Sequence, residues 1–283
     1  MKIVVILLFL CFGCNNGSNE TLLTPEKIDE LLVKNTFKAS NNLELPYRLF
    51  SPYNQSVEKK PLIVFLHGRG DRGSDNSPKT YHEFGFVTNL NSLVSKQLQS
   101  KYPSYIVVPQ CSAKTENEEW AKWVGNSPET PFDGLGEDGS YILNDEPSAS
   151  GQAALRLIEN LIENKNIDKD RIYIIGLSMG GFGVWEFTAR KPNLFAAAVP
   201  MAGYSDPFQI ENIKHIPFWI FHGSTDKWNP VEGSRTMYNL LLEQDADVTY
   251  TEYKNTGHGD AFKKAFNEPE LLSWLFSKSK NSN

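Results

Sequence analysis

The stretch that most narrows the folds open to this chain is Arg171-Ile172-Tyr173-Ile174-Ile175-Gly176-Leu177-Ser178-Met179-Gly180-Gly181. Its first five residues are rich in β-branched and aromatic side chains and read as a short buried strand. The strand runs directly into Gly-x-Ser-x-Gly, and Phe182 to Arg190 is compatible with a helix. A serine between strand and helix in this pattern occupies a sharp, strained turn that lifts its Oγ above the sheet. Glycines 176 and 180 keep side chains out of the crowded space on either side. The new helix turns its unpaired N–H groups and positive dipole end toward any negative charge that forms there. The pattern predicts a nucleophile at Ser178, against the alternative of a Gly/Ser-rich turn without chemistry.

At 283 residues the chain has room for one large α/β domain or two small ones. A net charge of -6 with no basic stripe argues against a nucleic-acid partner. The N-terminus has its own composition. Met1-Lys2 precedes an apolar run, Ile3 to Leu10, too short to span a bilayer but of signal-peptide length. The run ends Leu10-Cys11-Phe12-Gly13-Cys14 and turns abruptly polar at Asn15-Asn16-Gly17-Ser18. This resembles a bacterial lipoprotein signal, with residues 1–13 removed and Cys14 acylated, although Cys11 stands where Leu is usual. An ordinary cleaved secretory signal is the alternative. Either reading implies export, and the first a lipid anchor in a membrane, facing the periplasm or the cell surface. Residues 14–24 then read as a tether and 25–280 as a single domain. With Cys11 removed and Cys14 lipidated, Cys111 is left without a disulfide partner.

Along the remainder, Thr24-Pro25-Glu26-Lys27 opens a short helix through Leu32. Leu43 to Phe50 alternates like an outer strand, whereas Leu62 to Leu66 is apolar on both faces, like a central parallel one. A helix is expected over about 87–101 and a buried strand over Tyr105 to Pro109. Further strands are expected at Phe195 to Pro200, Ile216 to Phe221 and Val248 to Tyr253, with helices at 151–164, 231–244 and 271–276. Strands alternating with helices predict a mostly parallel, doubly wound α/β sheet with helices on both faces. Residues 110–150 break the rhythm. They mix Trp120, Trp123, Phe132 and Tyr141 with acidic residues and show no period. A long irregular stretch in a compact domain is commonly functional. Trp120 and Trp123 are therefore candidate substrate contacts, against the alternative of a surface insertion with packed aromatics.

Ligands of parallel sheets bind beyond the carboxyl ends of the strands. Strand 216–221 exits into His222-Gly223-Ser224-Thr225-Asp226, and strand 248–253 into Lys254-Asn255-Thr256-Gly257-His258. Asp226 can accept Nδ1–H of His258, leaving Nε2 to take the proton of Ser178, which is too weak a nucleophile unaided. Asp206 is a rival acid. His222, so near the strand, is read as packing, and His82 and His215 as structural or solvated. The oxyanion hole needs one N–H from the residue after the serine, Met179, and one from an earlier strand exit. His67-Gly68-Arg69-Gly70 supplies that exit, with Arg69 N–H as candidate donor and His67 bracing the loop.

Together these segments resemble an α/β-hydrolase of the phospholipase/carboxylesterase–dienelactone hydrolase group, near exported esterases labelled predicted peptidases or polyhydroxybutyrate-depolymerase-like. The resemblance rests on Leu66 to Gly73, Val108 to Cys111, Asp170 to Gly181, Phe221 to Asp226 and Gly257-His258. It implies the roles already assigned to Ser178, Asp226, His258 and Arg69. Where that group often carries a Trp shortly after its histidine, this chain has Gly259-Asp260-Ala261-Phe262, which bears on substrate shape. The expected activity is an exported serine carboxylic-ester hydrolase acting through an acyl-enzyme. No metal or organic cofactor is expected, since no His, Cys and carboxylate cluster has ligand spacing. Acidic and aromatic residues in 112–141 suit an acetyl or feruloyl ester of a polysaccharide. A short-acyl carboxylesterase, a lysophospholipase or a peptidase are alternatives, as is a glycan-binding surface lipoprotein without catalysis.

Overall fold

The computed structural model describes residues 23–39, 43–54, 56–77, 81–82, 84–87, 93–115, 121–125 and 142–281. Within these, β1 (Val33–Lys38), β2 (Glu44–Phe50), β3 (Lys60–Leu66), β4 (Tyr105–Pro109), β5 (Ile167–Leu177), β6 (Ala197–Met201), β7 (Phe218–Gly223) and β8 (Val248–Tyr253) form one sheet. Their order is β1-β2-β4-β3-β5-β6-β7-β8. The pairs β1/β2 and β2/β4 are antiparallel, and every pairing from β4 to β8 is parallel. The chain steps from β3 outward to β4 and then returns past β3 to β5. The crevice at the carboxyl ends of β3 and β5 is the switch point where such sheets place ligands.

Eight helices lie among the described residues. They are α1 (Pro25–Leu31), α2 (Lys96–Lys101), α3 (Ala149–Asn164), α4 (Met179–Arg190), α5 (Ile210–Ile213), α6 (Val231–Glu243), α7 (His258–Phe266) and α8 (Leu271–Ser277). Side chains alternate across a strand, so the buried strands feed two cores. Leu62, Val64 and Leu66 of β3, with Ile172 and Ile174 of β5, pack against α3 and α4. Ile63 and Phe65, with Tyr173 and Ile175, pack on the opposite face against α7 and α8. This two-sided burial is why β3 reads in sequence as an unbroken apolar run. The chain has the expected doubly wound α/β architecture. None of the described helices is long and apolar enough to cross a membrane.

Several elements depart from the sequence reading. Strand β1 is absent from it because Val-Lys-Asn-Thr-Phe-Lys is polar and mostly exposed, with no apolar alternation to find. Its exposed Lys34 and Lys38 suit an outermost strand, where charge discourages pairing with other chains. The helix expected from residue 87 begins only at Lys96, capped by Ser95 Oγ, which accepts Leu98 N–H at 3.1 Å. The strand expected to open at Phe195 opens at Ala197. Helix α7 was not anticipated, since it starts at His258 with Gly and Asp in its first turn.

A buried ion pair ties α4 to its surroundings. Glu186 is 1% exposed and accepts Arg190 Nε–H at 2.8 Å. Both of its carboxylate oxygens lie 3.0 Å from Gly125 N, while Arg190 also donates to the carbonyls of Asn144 and Asp145. Burial pushes the Glu186 carboxyl above its ordinary range, and Arg190 works against that shift. Removing one partner of such a pair strands a charge in the interior. Arg190→Ala is expected to cost about 3–5 kcal/mol in urea denaturation, and the double variant Glu186→Leu/Arg190→Met distinctly less. Equal losses in the two would mean the carboxylate is not stranded when Arg190 is removed.

Candidate active site

Strand β5 ends at Leu177, and Ser178 makes the turn into α4 with φ 54° and ψ -118°. A side chain larger than glycine rarely takes a positive φ, and here neighbours on all sides enforce it. Ser178 N–H donates to Met201 O on β6 at 2.9 Å, and Ser178 O accepts Phe182 N–H at 3.1 Å. A Cβ on Gly180 would lie 1.9 Å from Leu66 O, and one on Gly176 2.2 Å from Gly180 O. The sequence pattern thus reports a backbone crossing that only glycine permits.

Helix α7 begins at His258, two residues after the exit loop of β8 turns back at Thr256, and swings the imidazole over Ser178. His258 Nε2 lies 2.9 Å from Ser178 Oγ, and Nδ1 lies 2.5 Å from Asp226 Oδ2. A carboxylate only accepts, so Nδ1 carries the proton and Nε2 is the acceptor for the serine hydroxyl. Phe262, one turn along α7, stands edge-on to the imidazole at 4.7 Å and limits its rotation. The Ser178 and His258 side chains are partly open to solvent, whereas that of Asp226 is fully buried.

Asp226 sits in the exit loop of β7. Its Oδ1 accepts the N–H groups of Trp228 and Asn229 at 2.8 and 3.0 Å. Its Oδ2 faces both His258 and His222, the latter at 3.2 Å. Burial by itself would raise this carboxyl, but hydrogen bonds from His222 and His258, with Asn229 N–H, hold it well below the carboxylate range. The rival acid, Asp206, is occupied elsewhere. It accepts Phe208 N–H at 3.0 Å and Leu143 N–H at 3.1 Å, capping a short 3-10 turn.

The exit of β3 runs along the other side of the serine. A Cβ on Gly68 would meet Leu177 Cδ1 at 3.0 Å and Ser178 Cβ at 3.7 Å, so the Gly68-Arg69 backbone borders the nucleophile. Arg69 opens a 3-10 turn there, and Met179 is the first residue of α4, whose N–H has no intrahelical acceptor. His67 holds the loop from below. Its Nδ1–H donates to Gly68 O at 2.7 Å and its Nε2 accepts Cys111 N–H at 2.9 Å. Complete burial pushes the His67 imidazole down to about 4, so it stays neutral. Burial likewise pushes the Cys111 thiol up to about 12, which leaves it unreactive.

One expected contact must be corrected. Trp123 is fully buried, and its Nε1–H donates to His67 O at 3.0 Å. Its ring packs against His67 and Phe187, so it supports the β3 exit loop from inside and cannot touch substrate. Trp120 and Cys14 lie outside the described residues. His82 contacts Asp29 at 2.7 Å and His215 contacts Pro192 O at 2.9 Å, both away from Ser178. Two features escaped the sequence reading. His222 reaches Asp226 instead of merely packing, and Trp228, 69% exposed, lies 5.2 Å beneath the Arg69 guanidinium. Among the described residues no group of three or more His, Cys, Asp or Glu converges as a metal site.

Comparison with known proteins finds similarity to esterases and related hydrolases. Residues 106–275 match the PETase family model, described as PET hydrolase-like. Poly(3-hydroxyalkanoate) depolymerase C of Paucimonas lemoignei is 26% identical over 143 residues, 50% of this chain and 28% of its own length. Carboxylesterase SOBER1 of Arabidopsis thaliana is 23% identical over 236 residues, 79% of this chain and 92% of its own. The crystal structure of a thermostable esterase superposes with a TM-score of 0.72 at 32% identity, covering 89% of this chain and 64% of that one. The chain thus spans less than two thirds of both the depolymerase and the thermostable esterase.

The donors around Asp226 have a consequence for stability. A carboxyl held below its ordinary 3.8 in the folded state stabilises the fold above that value, and the contribution is lost as pH falls below it. Acid unfolding followed by circular dichroism is expected to be shallower below pH ~4 for Asp226→Asn than for the unaltered protein. Identical slopes would mean that the carboxylate gains nothing from its four donors.

Proposed function

Since the chain belongs to the PET hydrolase-like family of the α/β-hydrolases, we propose that it is a serine carboxylic-ester hydrolase working through an acyl-enzyme. The observation that carries this reading is the unbroken hydrogen-bonded chain from Asp226 through His258 to the strained Ser178. His258 Nε2 takes the hydroxyl proton as Ser178 Oγ attacks the ester carbonyl, and Asp226 stabilises the imidazolium and fixes its tautomer. The N–H groups of Met179 and Arg69 receive the oxyanion of the tetrahedral intermediate. His258 then protonates the leaving alcohol, and in the second half it activates water to release the acid.

The finer reading is that the substrate is an acetyl or feruloyl ester of a polysaccharide. Its support is the exposed Trp228 beside the β3 exit loop, a surface on which a flat ring can stack, and the export-type N-terminus. The enzyme would accordingly act outside the cytoplasm, held to a membrane through Cys14. Release of acetate or ferulate from xylan fragments supports this substrate, and cleavage of simple esters alone favours a short-acyl carboxylesterase. Retention of Cys14→Ala in the membrane fraction would overturn the anchor.

Hydrolysis of p-nitrophenyl esters from acetyl to palmitoyl tests the core of the proposal. Ser178→Ala is expected to lower kcat by about 10⁴-fold or more with little change in fold. Equal activity of the two proteins would remove the elbow from the chemistry. Loss of one oxyanion donor costs about 10²–10³ in kcat, but Arg69→Ala keeps its backbone N–H. That variant is therefore expected to stay within about tenfold of the unaltered enzyme, well short of donor loss. A drop of the full size would assign the role to the guanidinium instead.

A further inference from the structure

His222 is fully buried on β7, and its ring meets three oxygens. Nδ1 lies 2.7 Å from Ser234 Oγ, while Nε2 lies 3.2 Å from both Asn229 O and Asp226 Oδ2. A carbonyl and a carboxylate can only accept, so the proton must sit on Nε2. The remaining groups agree. Ser234 Oγ lies 3.2 Å from Gly203 O, a carbonyl that also receives Trp185 Nε1–H at 3.0 Å, but only 2.7 Å from Nδ1, so with Nε2 protonated its hydroxyl proton takes the shorter contact to Nδ1. Every polar atom of a neutral Nε2–H ring is then satisfied inside the core, as buried polar groups require.

The geometry points to His222 as a positioning residue of the hydrolysis proposed above: its Nε2–H is shared between Asn229 O and the same Asp226 oxygen that holds His258, so that this carboxylate stands between two imidazoles. Oδ2 is thereby aimed from behind, while Trp228 and Asn229 N–H groups fix Oδ1. The carboxylate is locked in rotation, and the charge it presents to His258 is reduced. Other charges near this ring are already committed. Glu252, its register partner on β8, is bound by Arg235 of α6 at 2.6 and 2.8 Å and by Tyr250 Oη at 2.7 Å. Just past β6, Ala202 O accepts Asn229 Nδ2–H, and α7 contributes His258 itself.

Three substitutions separate this role from packing. His222→Gln keeps an N–H near the position of Nε2, His222→Asn can reach Ser234 but not Asp226, and His222→Leu retains bulk without a donor. With the donor gone, Asp226 pulls harder on the proton at His258. The acidic limb of kcat/KM against pH is expected to move up by about half a unit or more in the Asn and Leu variants. In the Gln variant it should stay near the unaltered position. A packing residue would change kcat or stability and leave the limb where it is. Coincident limbs in all folded variants, or a Gln variant shifted as far as Asn, would overturn the role.

The unaltered protein carries a second readout that needs neither substrate nor variant folding. Its ¹⁵N-labelled imidazoles should show the His222 proton on Nε2, and a proton on Nδ1 alone would refute the assignment. The inference rests on the hydrolase reading, yet the two fail differently. A protein that cleaves no ester and takes no fluorophosphonate on Ser178 sinks the hydrolase, whereas the tautomer remains measurable.

Discussion

A serine held at φ 54° costs a chain roughly 1–3 kcal/mol, so it persists only where surrounding structure over-determines it. At Ser178 the determination comes from three directions. Strand β5 delivers the residue, β6 accepts its N–H through Met201, and α4 departs immediately so that Gly180 can pass against Leu66. Loosening any of these would let the serine relax into an ordinary turn and lower its Oγ away from His258. The paired registers of β3, β5 and β6 are therefore as much part of the site as the side chains. The parallel sheet supplies the rigidity, and the loops at its carboxyl edge supply the chemistry.

Electrostatics at that edge is organised around one carboxylate. Asp226 is removed from water, which would favour its neutral form, but four donors converge on its two oxygens and keep it ionised. The arrangement exchanges hydration for fixed dipoles and so spares the reaction any solvent reorganisation when charge appears on His258. Beneath the β3 exit, His67 performs a similar service without charge. Neutral at ordinary pH, it links the Gly68 carbonyl to the Cys111 amide and is itself braced by Trp123.

Much of this could be read from residues alone because strand exits are marked by local chemistry. Gly-x-Ser-x-Gly encodes a backbone crossing, and the apolar run of β7 and the β-branched and aromatic run of β8 locate Asp226 and His258 beyond their ends. What stayed hidden depends on distance in space. Trp123 looks the same in sequence whether it stacks on substrate or supports a loop; only its burial between His67 and Phe187 decides. The hydrogen bond of His222 to Asp226 had a faint signal in the four-residue spacing across Gly223, but direction was missing. Strand β1 has no apolar alternation because one face is exposed and the other turns only Phe37 against the core. Helix α7 opens with residues better known for turns, and its existence follows from packing Phe262 and Phe266 under β3 and β7.

Ser178 and His258 are 80 positions apart, and His258 and Asp226 another 32. Contacts so remote in sequence form late, after the loop-closure entropy has been met by the docking of whole strands. The hydroxyl therefore gains its base only when β7, β8 and α7 have joined the sheet. A nascent or partly unfolded chain carries an ordinary serine, inert toward esters and toward acylating poisons alike. The reactivity proposed for this serine is thus a property of the completed fold, absent until the last strands of the sheet are in place.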